Sequence, residues 1–308
     1  MSCKKCVEKP VIKLINSNKT LCKNCFIEYF EKKVKKTIAD YNLIDKNDHI
    51  IVAASGGKDS ITTLYLLNKI FSKRKDVKIT ALAIDEGIHG YRDKSLEHLK
   101  KFCKKYKIIL NIYSYKKEFG KSLDKILKTY NGVPCSICGV FRRYLLNAKS
   151  RELGATKLAT GHNLDDETQS IVMNYFRNSL NVSARLGPIT GIIPDKKFIR
   201  RIKPLYFLTE KEVTIYSFLM KLLDKFNECP YNHDSYRGKI RDMLNDFEAK
   251  YPGTKHGIIT TFIQLLPILK EHYKKSNYIK ECSSCGEPSS QEKCKSCQYI
   301  DEVIKPTL

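Results

Sequence analysis

Apolar and polar residues alternate along this chain with two different periodicities. Between residues 26 and 41 the large apolar side chains return every three or four positions, which is the period of one helical face. These side chains are Phe26, Tyr29, Phe30, Val34, Ile38 and Tyr41. From about residue 48 onward, short apolar runs take turns with longer stretches of helical period. The pattern therefore predicts one amphipathic helix followed by a strand–helix repeat.

The repeat predicts a parallel sheet. Four runs rich in β-branched residues are predicted as buried strands, at 49–54, 78–84, 108–113 and 157–160. Helices are predicted at 59–71, 93–106, 141–153 and 165–177. Such alternation is typical of a doubly wound α/β fold, with a parallel sheet covered by helices on both faces. Ligands of these sheets bind beyond the carboxyl ends of the strands.

The last third of the chain is predicted to be mainly helical. A helix is expected from Thr209 to about Leu223, and another from Gly257 to about Tyr273. Pro267 falls inside the second helix and is expected to kink or break it, because proline lacks the N–H that the helix needs.

Composition adds a candidate class of partner. The 308 residues include 56 Lys and Arg against 33 Asp and Glu, which gives a formal charge of +23. A surplus of this size favours a polyanion, with nucleic acid first and an anionic membrane surface second, although a Lys-rich solvated surface would look the same. With 42% hydrophobic residues, the chain can bury a core. It has no apolar run long enough for a membrane span and no signal-type start, so we expect a cytoplasmic protein.

Eight of the twelve cysteines form two quartets of paired C-x2-C units. The members are Cys3, Cys6, Cys22 and Cys25 near the start, and Cys282, Cys285, Cys294 and Cys297 near the end. Two such pairs place four thiolates around one tetrahedral zinc ion. Redox-active pairs are the alternative, but a redox C-x2-C typically stands alone beside a βαβ unit. The spacing therefore predicts two structural zinc knuckles.

Three further cysteines are separated widely along the chain. Cys135 and Cys138 lie in Pro-Cys-Ser-Ile-Cys-Gly, just before the helix predicted from residue 141, and Cys229 lies in Glu-Cys-Pro. If the three converge, they can hold an iron–sulfur cluster that has one iron without a protein ligand. The alternatives are a persulfide-carrying redox pair and a third zinc with His233 as a ligand. Cys103, on a predicted helix, is expected to be a buried small hydrophobe.

A glycine-rich loop follows the first predicted strand. Its residues are Ala53, Ala54, Ser55, Gly56, Gly57, Lys58, Asp59 and Ser60. Glycines let the backbone approach an anion closely, and the free N–H groups at the start of the next helix favour a phosphate there. Asp59 suits such a loop if it faces Mg²⁺. Val52 stands where a Walker A loop has its first glycine, so this is a different phosphate loop.

Ser-Gly-Gly-Lys-Asp-Ser at 55–60 resembles the pyrophosphate loop of the PP-loop ATPases, which cleave ATP between the α and β phosphates to adenylate a carbonyl oxygen. Gly-His-Asn-Leu-Asp-Asp at 161–166 matches a second region that this superfamily places near the nucleotide. Together with the knuckles and the three central cysteines, the layout resembles the tRNA 2-thiouridine synthetases over nearly the whole chain.

The resemblance implies ATP-dependent replacement of the C2 oxygen of a tRNA uridine by sulfur, at the anticodon wobble position or alternatively in the T-loop. It implies a [4Fe-4S] cluster on Cys135, Cys138 and Cys229. It also implies catalytic roles for Asp166 and for Arg142, which replaces the Lys of some relatives and offers a planar fork in place of a point charge. ATP with Mg²⁺ would contact the loop at 53–60, Ile84, Gly161 and Asp166.

The same resemblance implies tRNA, a sulfur donor (sulfide or a thiocarboxylated ubiquitin-like protein) and a second copy of the chain as partners, and no membrane. Candidate tRNA contacts are the knuckles, the basic helix with Lys32, Lys33, Lys35 and Lys36, and Arg200 with Arg201. We expect a zinc finger at 1–27, the catalytic domain at 28–205, a helical extension at 206–278 and a second zinc finger at 279–308.

Three other functions fit parts of the pattern. The first is the same thiolation carried out by a cysteine persulfide without a cluster. The second is a PP-loop tRNA ligase of the lysidine-synthetase type, which would leave the three central cysteines without a role. The third is a non-catalytic zinc-ribbon RNA-binding protein, and the intact phosphate loop counts against it.

Overall fold

The computed structural model describes residues 3–194, 197–222, 229–231, 235–274 and 279–304. A five-stranded parallel sheet with helices packed around it occupies the centre, and a cysteine-bearing hairpin lies near each end of the chain. The predicted doubly wound α/β fold is therefore confirmed.

The chain starts with a hairpin and a long helix. Strands β1 (Ile12–Lys13) and β2 (Thr20–Leu21) pair antiparallel, and helix α1 (Lys23–Asp40) follows them. The predicted apolar stripe of this helix is buried along Phe26, Phe30, Val34 and Ile38. The rings of Phe30 and Tyr216 stack with their centroids 4.1 Å apart, so the stripe attaches this helix to a later part of the chain.

The central sheet has a switch in strand order at its middle. Its strands are β3 (His49–Ala53), β4 (Lys78–Asp85), β5 (Ile109–Ser114), β6 (Lys157–Ala159) and β7 (Arg200–Ile202), and the order across the sheet is β5-β4-β3-β6-β7. All neighbouring strands are parallel. Strand β3 pairs with β4 on one side and with β6 on the other, so the connections diverge between β3 and β6. Ligands bind at such a switch point.

Burial explains the strand sequences. Ile50, Ile51 and Val52 of β3 have no exposed surface, because helices cover both faces of the sheet. The helices between the first and last strands are α2 (Lys58–Phe71), α3 (Arg92–Lys105), α4 (Tyr115–Phe119), α5 (Leu123–Ile126), α6 (Pro134–Glu152), α7 (Leu164–Phe176) and α8 (Leu180–Ser183). Of these, α2, α3, α4 and α6 contact the strands directly. The four strands predicted from sequence match β3 to β6 within a residue or so, and β7 was not predicted.

Helix α6 begins earlier than the sequence pattern indicated. The prediction started it at residue 141, but the first helical residue is Pro134. Proline fits the first turn because the N–H that it lacks would have no partner there. Ile137, Phe141 and Leu145 continue one buried face through this turn. Cys135 and Cys138 therefore lie on the helix itself rather than in a loop before it.

The remaining described elements are helical apart from a second hairpin. They are α9 (Glu210–Leu219), α10 (Tyr236–Lys250), α11 (Thr254–Lys274), β8 (Lys280–Glu281), β9 (Pro288–Ser289), α12 (Lys295–Tyr299) and a π-helical turn at Ile300–Ile304. Thr209 caps α9 as predicted, accepting a hydrogen bond from the N–H of Glu212. The helix ends at Leu219, four residues before the end predicted at about Leu223, which itself lies outside the described residues.

Helix α11 runs through Pro267 without a break. Of the two predicted effects of this proline, the break is therefore absent and the kink stays a prediction. Ile259, Phe262 and Leu266 bury one face of this helix in a cluster with residues of α7. That packing outweighs the one backbone hydrogen bond that proline removes. Within the described part of the chain, none of the helices combines the length and the apolar character needed to cross a bilayer.

The second hairpin and α12 lie against helix α6. The rings of Tyr299 and Phe141 pack edge to face with centroids 6.2 Å apart. The Glu287 carboxylate accepts hydrogen bonds from Arg151 and from Nδ2 of Asn147, the latter at 2.9 Å. The C-terminal knuckle is therefore fixed to the helix that carries Cys135 and Cys138. The division into four segments stays a prediction.

Candidate functional site: adjoining nucleotide and cysteine cavities

The loop after β3 is organised by its two serines. Oγ of Ser60 accepts a hydrogen bond from the N–H of Ser55 at 3.1 Å and donates one to the carbonyl of Gly57 at 3.0 Å. Gly56 has φ of +85°, and a Cβ there would lie 2.5 Å from the carbonyl oxygen of Ser95. The loop is thus closed onto itself and onto α3, and the start of α2 offers free N–H groups to an anion.

A second loop, after β6, meets the first one. A Cβ on Gly161 would lie 2.7 Å from the backbone carbonyl carbon of Asp59, so only glycine allows this approach. Asn163 then caps α7: its side chain accepts from the N–H of Asp166, while the carboxylate of Asp166 accepts from the N–H of Asn163. The capping box fixes the Asp166 side chain at the start of α7.

The two loops enclose a cavity of about 360 Å³ at the switch point of the sheet. Most of the predicted ATP-binding residues line it, namely Ala53, Ala54, Ser55, Gly57, Asp59, Ser60, Ile84, Gly161 and Asp166. Lys58 is held by carboxylates, since its ammonium group lies 2.8 Å from Glu210 and 3.1 Å from Asp59. Gly56 shapes the loop through its backbone conformation.

Arginines give this cavity an excess of positive charge. Burial lowers the pKa of Arg143, with Arg142 acting in the same direction, and burial together with Arg143 lowers the pKa of Arg201 to about 10. Guanidinium groups that lower one another's pKa in this way favour the binding of an anion between them. Arg143 was not predicted as a site residue, and Arg201 was predicted only as a tRNA contact. Arg200 and Arg201 are neighbours on strand β7, so their side chains point to opposite faces of the sheet. That alternation is the sequence signal that could have placed Arg201 in the cavity.

Two other side chains in the cavity have altered acid–base properties. Burial and the neighbouring cations, Lys203 first, hold the pKa of His162 well below its usual value, so the imidazole is neutral. Burial raises the pKa of Asp166 to about 6, and the nearby Asp59 adds to this while the Arg237 guanidinium opposes it. A divalent cation near Asp59 and Asp166 would relieve this accumulation of negative charge.

The three central cysteines converge on a neighbouring cavity. Cys135, Cys138 and Cys229 all line a space of about 190 Å³, although Cys229 is remote in sequence. Sγ of Cys135 lies 3.6 Å from the carbonyl oxygen of Tyr231, and the Tyr115 hydroxyl donates to the carbonyl of Cys138 at 2.7 Å. The geometric condition for a shared ligand set, the approach of Cys229 to the other two, is therefore met.

The spacing of these sulfurs suits a group larger than one ion. In a tetrahedral zinc site with Zn–S bonds of about 2.3 Å, the sulfurs lie about 3.8 Å apart. Among the described residues, the sets of candidate ligands whose atoms all lie within 4.8 Å of one another are the two terminal quartets. The central three are more widely spaced around their cavity, which fits an iron–sulfur cluster. His233, the proposed fourth ligand of a third zinc, lies outside the described residues.

The terminal quartets fit zinc directly. In the N-terminal one, Sγ of Cys6 lies 3.4 Å from that of Cys22 and 3.8 Å from that of Cys25. In the C-terminal one, Sγ of Cys285 and Cys294 are 3.8 Å apart. Backbone N–H groups also point at sulfur, such as that of Cys294 toward Cys282 at 3.2 Å, and so stabilise thiolates. Both sites can close a four-sulfur tetrahedron.

The nucleotide and cysteine cavities have a common wall. Ser55, Glu86, Arg92 and Arg142 line both of them. Arg142 is four residues after Cys138 on α6, so both side chains project from one helical face. Ser55 and Arg142 were predicted from the sequence as site residues, whereas Glu86 and Arg92 were not. Their position after β4, at the carboxyl edge of the sheet, was the signal that could have found them.

The predicted basic contacts are only partly exposed. Lys32, Lys35 and Lys36 project into solvent from α1. Lys33 instead turns inward, where its ammonium group lies 3.7 Å from Glu212 and 3.0 Å from the Tyr29 hydroxyl. Arg201 belongs to the nucleotide cavity. The lysine stripe available to a polyanion is therefore narrower than the sequence indicated.

This sheet, its switch point and the serine–glycine loop define a PP-loop nucleotide-binding protein, and a family profile described as a PP-loop domain matches residues 27–246. The tRNA 2-thiolation protein NcsA of Haloferax volcanii is 33% identical, covering 98% of this chain and 99% of its own length. The tRNA-5-methyluridine(54) 2-sulfurtransferase of Pyrococcus horikoshii is 38% identical, covering 97% and 93%.

A solved structure is similar over the same length. It is the U34-tRNA thiolase NcsA from Methanococcus maripaludis with its [4Fe-4S] cluster, with a TM-score of 0.84, 35% identity, and coverage of 98% of this chain and 96% of that one. This chain therefore belongs to the PP-loop family of tRNA 2-thiolation proteins.

Proposed function

We propose that this protein replaces the C2 oxygen of a tRNA uridine by sulfur at the expense of ATP, which makes it a tRNA-uridine 2-sulfurtransferase. The observation that carries the proposal is the common wall of Ser55, Glu86, Arg92 and Arg142 between the phosphate loop and the three cysteines. A base activated by a nucleotide in one cavity would lie beside the sulfur-bearing cavity. Membership of the thiolation family supports the same reaction.

ATP would bind with its β and γ phosphates in the loop. The N–H groups at the start of α2 and the hydroxyls of Ser55 and Ser60 would hold the pyrophosphate part. Arg143 and Arg201 would supply cations for the phosphate oxygens. Asp59 and Asp166 would share Mg²⁺, which offsets their mutual repulsion.

Activation of the uridine is the first chemical step. Its O2 would attack the α-phosphorus of ATP, an O–P bond would form, and pyrophosphate would leave with the electron pair of the bond that breaks. Preorganised N–H groups and cations that face the developing charge lower such a barrier. Arg142, in the wall, would contact the α-phosphate. Hydrosulfide would then replace AMP at C2, so the products are 2-thiouridine, AMP and pyrophosphate.

The cysteine cavity would hold a [4Fe-4S] cluster through Cys135, Cys138 and Cys229. Such a cluster keeps one iron free of a protein ligand and supplies sulfur in a deprotonated form. The terminal quartets would hold two structural zinc ions. The sulfur donor would be sulfide or a thiocarboxylated ubiquitin-like protein, the working assembly would be a homodimer, and the compartment would be the cytoplasm, where thiols stay reduced.

The target uridine would be the wobble base or a T-loop base, because one similar protein is named for position 54 and another for U34. Either base must leave its stack to reach the cavity. The knuckles, Arg200 and the exposed lysines of α1 would hold the surrounding backbone, and salt should weaken this binding.

The test uses the anaerobically reconstituted chain, sulfide, ATP and unmodified tRNA transcripts that lack either U34 or U54. Thiouridine is measured by mass spectrometry of the digested tRNA, and AMP is measured in parallel. Equal amounts of AMP and thiouridine, dependent on one of the two uridines, would support the proposal. Thiolation by sulfide without iron would rule out the cluster as the sulfur carrier, and thiolation that needs a persulfide-level sulfur donor in place of sulfide would favour the cysteine persulfide. An amine adduct would favour a ligase, and tRNA binding without AMP would leave only an RNA-binding protein.

A further inference from the structure

Glu86 is a buried carboxylate to which the proposed reaction gives no role. It follows β4 and has only 4% of its surface exposed. Oε2 lies 2.9 Å from Nε of Arg92, and Oε1 lies 3.5 Å from Nη1 of Arg142. One buried anion therefore lies between two guanidinium groups. Removing one member of such a network leaves the others without compensation, so the three charges depend on one another.

The Arg92 side of this network reaches the phosphate loop. The Arg92 guanidinium donates to the carbonyl oxygen of Ser55, and it donates to that of Ile84 at 2.5 Å. Arg92 is itself almost fully buried. Its guanidinium therefore ties the loop that would hold pyrophosphate to the end of β4. Any adjustment of Ser55 around an anion changes the acceptor that Arg92 faces.

The Arg142 side reaches the cysteines. Arg142 lies one helical turn after Cys138, and its side chain lines the cysteine cavity as well as the nucleotide cavity. About half of the side chain is exposed, and its 3.5 Å separation from Glu86 is longer than that of the Arg92 pair. The Arg142 guanidinium can therefore contact either Glu86 or an anion in one of the two cavities. The buried Arg92 guanidinium stays paired with Glu86.

We propose that Glu86 is a positioning residue that couples the two cavities. An anion in the phosphate loop changes how Ser55 and Arg92 hold Glu86, and Glu86 in turn sets where the Arg142 guanidinium lies relative to Cys138. The coupling makes the sulfur-bearing cavity respond to occupancy of the nucleotide cavity. This inference rests on the proposed function only in that both cavities serve one reaction, and its test needs no tRNA.

The probe is inorganic pyrophosphate with Mg²⁺, which is the part of ATP that the loop would hold and which carries neither the α-phosphate nor the nucleoside. We measure the electron paramagnetic resonance spectrum of the reduced, cluster-loaded chain with and without the probe. In a second measurement on the cluster-free chain, we follow the rate at which Cys135 and Cys138 react with iodoacetamide, by peptide mass spectrometry. The unaltered chain is expected to show a probe-dependent spectral shift and a probe-dependent change in rate of about threefold or more, as for a coupling between two sites.

The variants are Glu86→Gln, which keeps the shape and removes the charge, and the matched control Asp48→Asn. Asp48 is also a buried carboxylate in an ion pair, 2.8 Å from Lys157, but it lies at the opposite edge of the sheet. In Glu86→Gln both probe effects should disappear although pyrophosphate still binds, as measured by calorimetry. In Asp48→Asn both effects should remain.

The proposal is overturned if Glu86→Gln keeps the full probe effects, if Asp48→Asn loses them equally, or if the unaltered chain has none. Should Glu86→Gln not fold, Arg142→Lys provides the same test, because a point charge cannot contact Glu86 and a second anion through one fork. Probe effects that persist in Arg142→Lys would also overturn the proposal. Coupling without thiolation would contradict the proposed function alone.

Discussion

Nδ2 of Asn163 donates a hydrogen bond of 3.1 Å to Oδ1 of Asp59. The bond joins the capping residue of α7 to the phosphate loop, so the two loops on either side of the switch point are held as one unit. It forms only because Gly161 allows the backbones to approach: a Cβ at Gly161 would lie 2.8 Å from the backbone nitrogen of Ser60.

Gly161→Ala is therefore expected to separate the two loops. Overpacking of this kind costs about 1–3 kcal/mol of stability. We expect the affinity for Mg²⁺-pyrophosphate to fall by about tenfold or more, because 1.4 kcal/mol of lost binding free energy is a factor of ten. Calorimetry measures the affinity and thermal unfolding measures the stability. The control is Gly257→Ala, where the added Cβ has no neighbour within 4 Å and only the helical backbone is stabilised. An unchanged affinity in Gly161→Ala would contradict this account.

Asp166→Asn is expected to make the protein more stable and less active. Because the pKa of Asp166 is raised to about 6, the folded state is penalised once pH exceeds the unfolded value of about 4, and the full penalty applies above about pH 6. The side chain is one-third exposed, so solvent screening reduces the penalty to about 1 kcal/mol. Without Mg²⁺, the free energy of unfolding in urea should be higher for Asp166→Asn than for the unaltered chain. This difference should be complete at pH 7.5 and vanish near pH 4. An advantage that did not depend on pH would contradict the assignment.

Cys229→Ala is expected to abolish cluster loading and thiolation while Mg²⁺-pyrophosphate binding stays within about twofold, since the cysteine cavity and the phosphate loop bind different groups. Iron content, visible absorbance and calorimetry separate these effects. Cys103→Ala is the matched control. Burial raises the pKa of Cys103 to about 11, and this thiol projects from α3 into the core, so iron content should not change. Full thiolation by Cys229→Ala would rule out the cluster role.

Loss of the C-terminal zinc should affect the cluster more than loss of the N-terminal zinc. Cys294→Ser and Cys22→Ser each remove one ligand from one quartet, and each should lower zinc by about one ion per chain, as a tetrahedral site needs all four sulfurs. Among the residues that the structure describes, the C-terminal knuckle packs on α6 through Tyr299 and Phe141, whereas the N-terminal knuckle leads into α1. Iron loading, measured by mass spectrometry of metals, should therefore fall in Cys294→Ser and persist in Cys22→Ser. Equal iron loss in both would refute this support role.

The sequence by itself determined four of the five strands of the sheet, the phosphate loop and the two quartets. Each of these depends on residues that are close along the chain: β-branched runs such as Ile50 to Val52, the serines and glycines at 55–60, and pairs of cysteines with two residues between them. Period, turn chemistry and ligand spacing are local physical properties, so they can be read without coordinates. The start of α6 was misplaced because buried packing of Ile137 extended a helix beyond its obvious pattern.

Only the tertiary structure decided how the two cavities relate. It brought Cys229 to Cys135 across about a third of the chain, turned Lys33 inward onto Glu212, and placed Arg201 beside the nucleotide rather than on the surface. It also assembled one wall from three separate segments of the chain: Ser55 after β3, Glu86 and Arg92 after β4, and Arg142 on α6. No local spacing encodes these contacts, because each of them joins side chains from segments that are far apart along the chain.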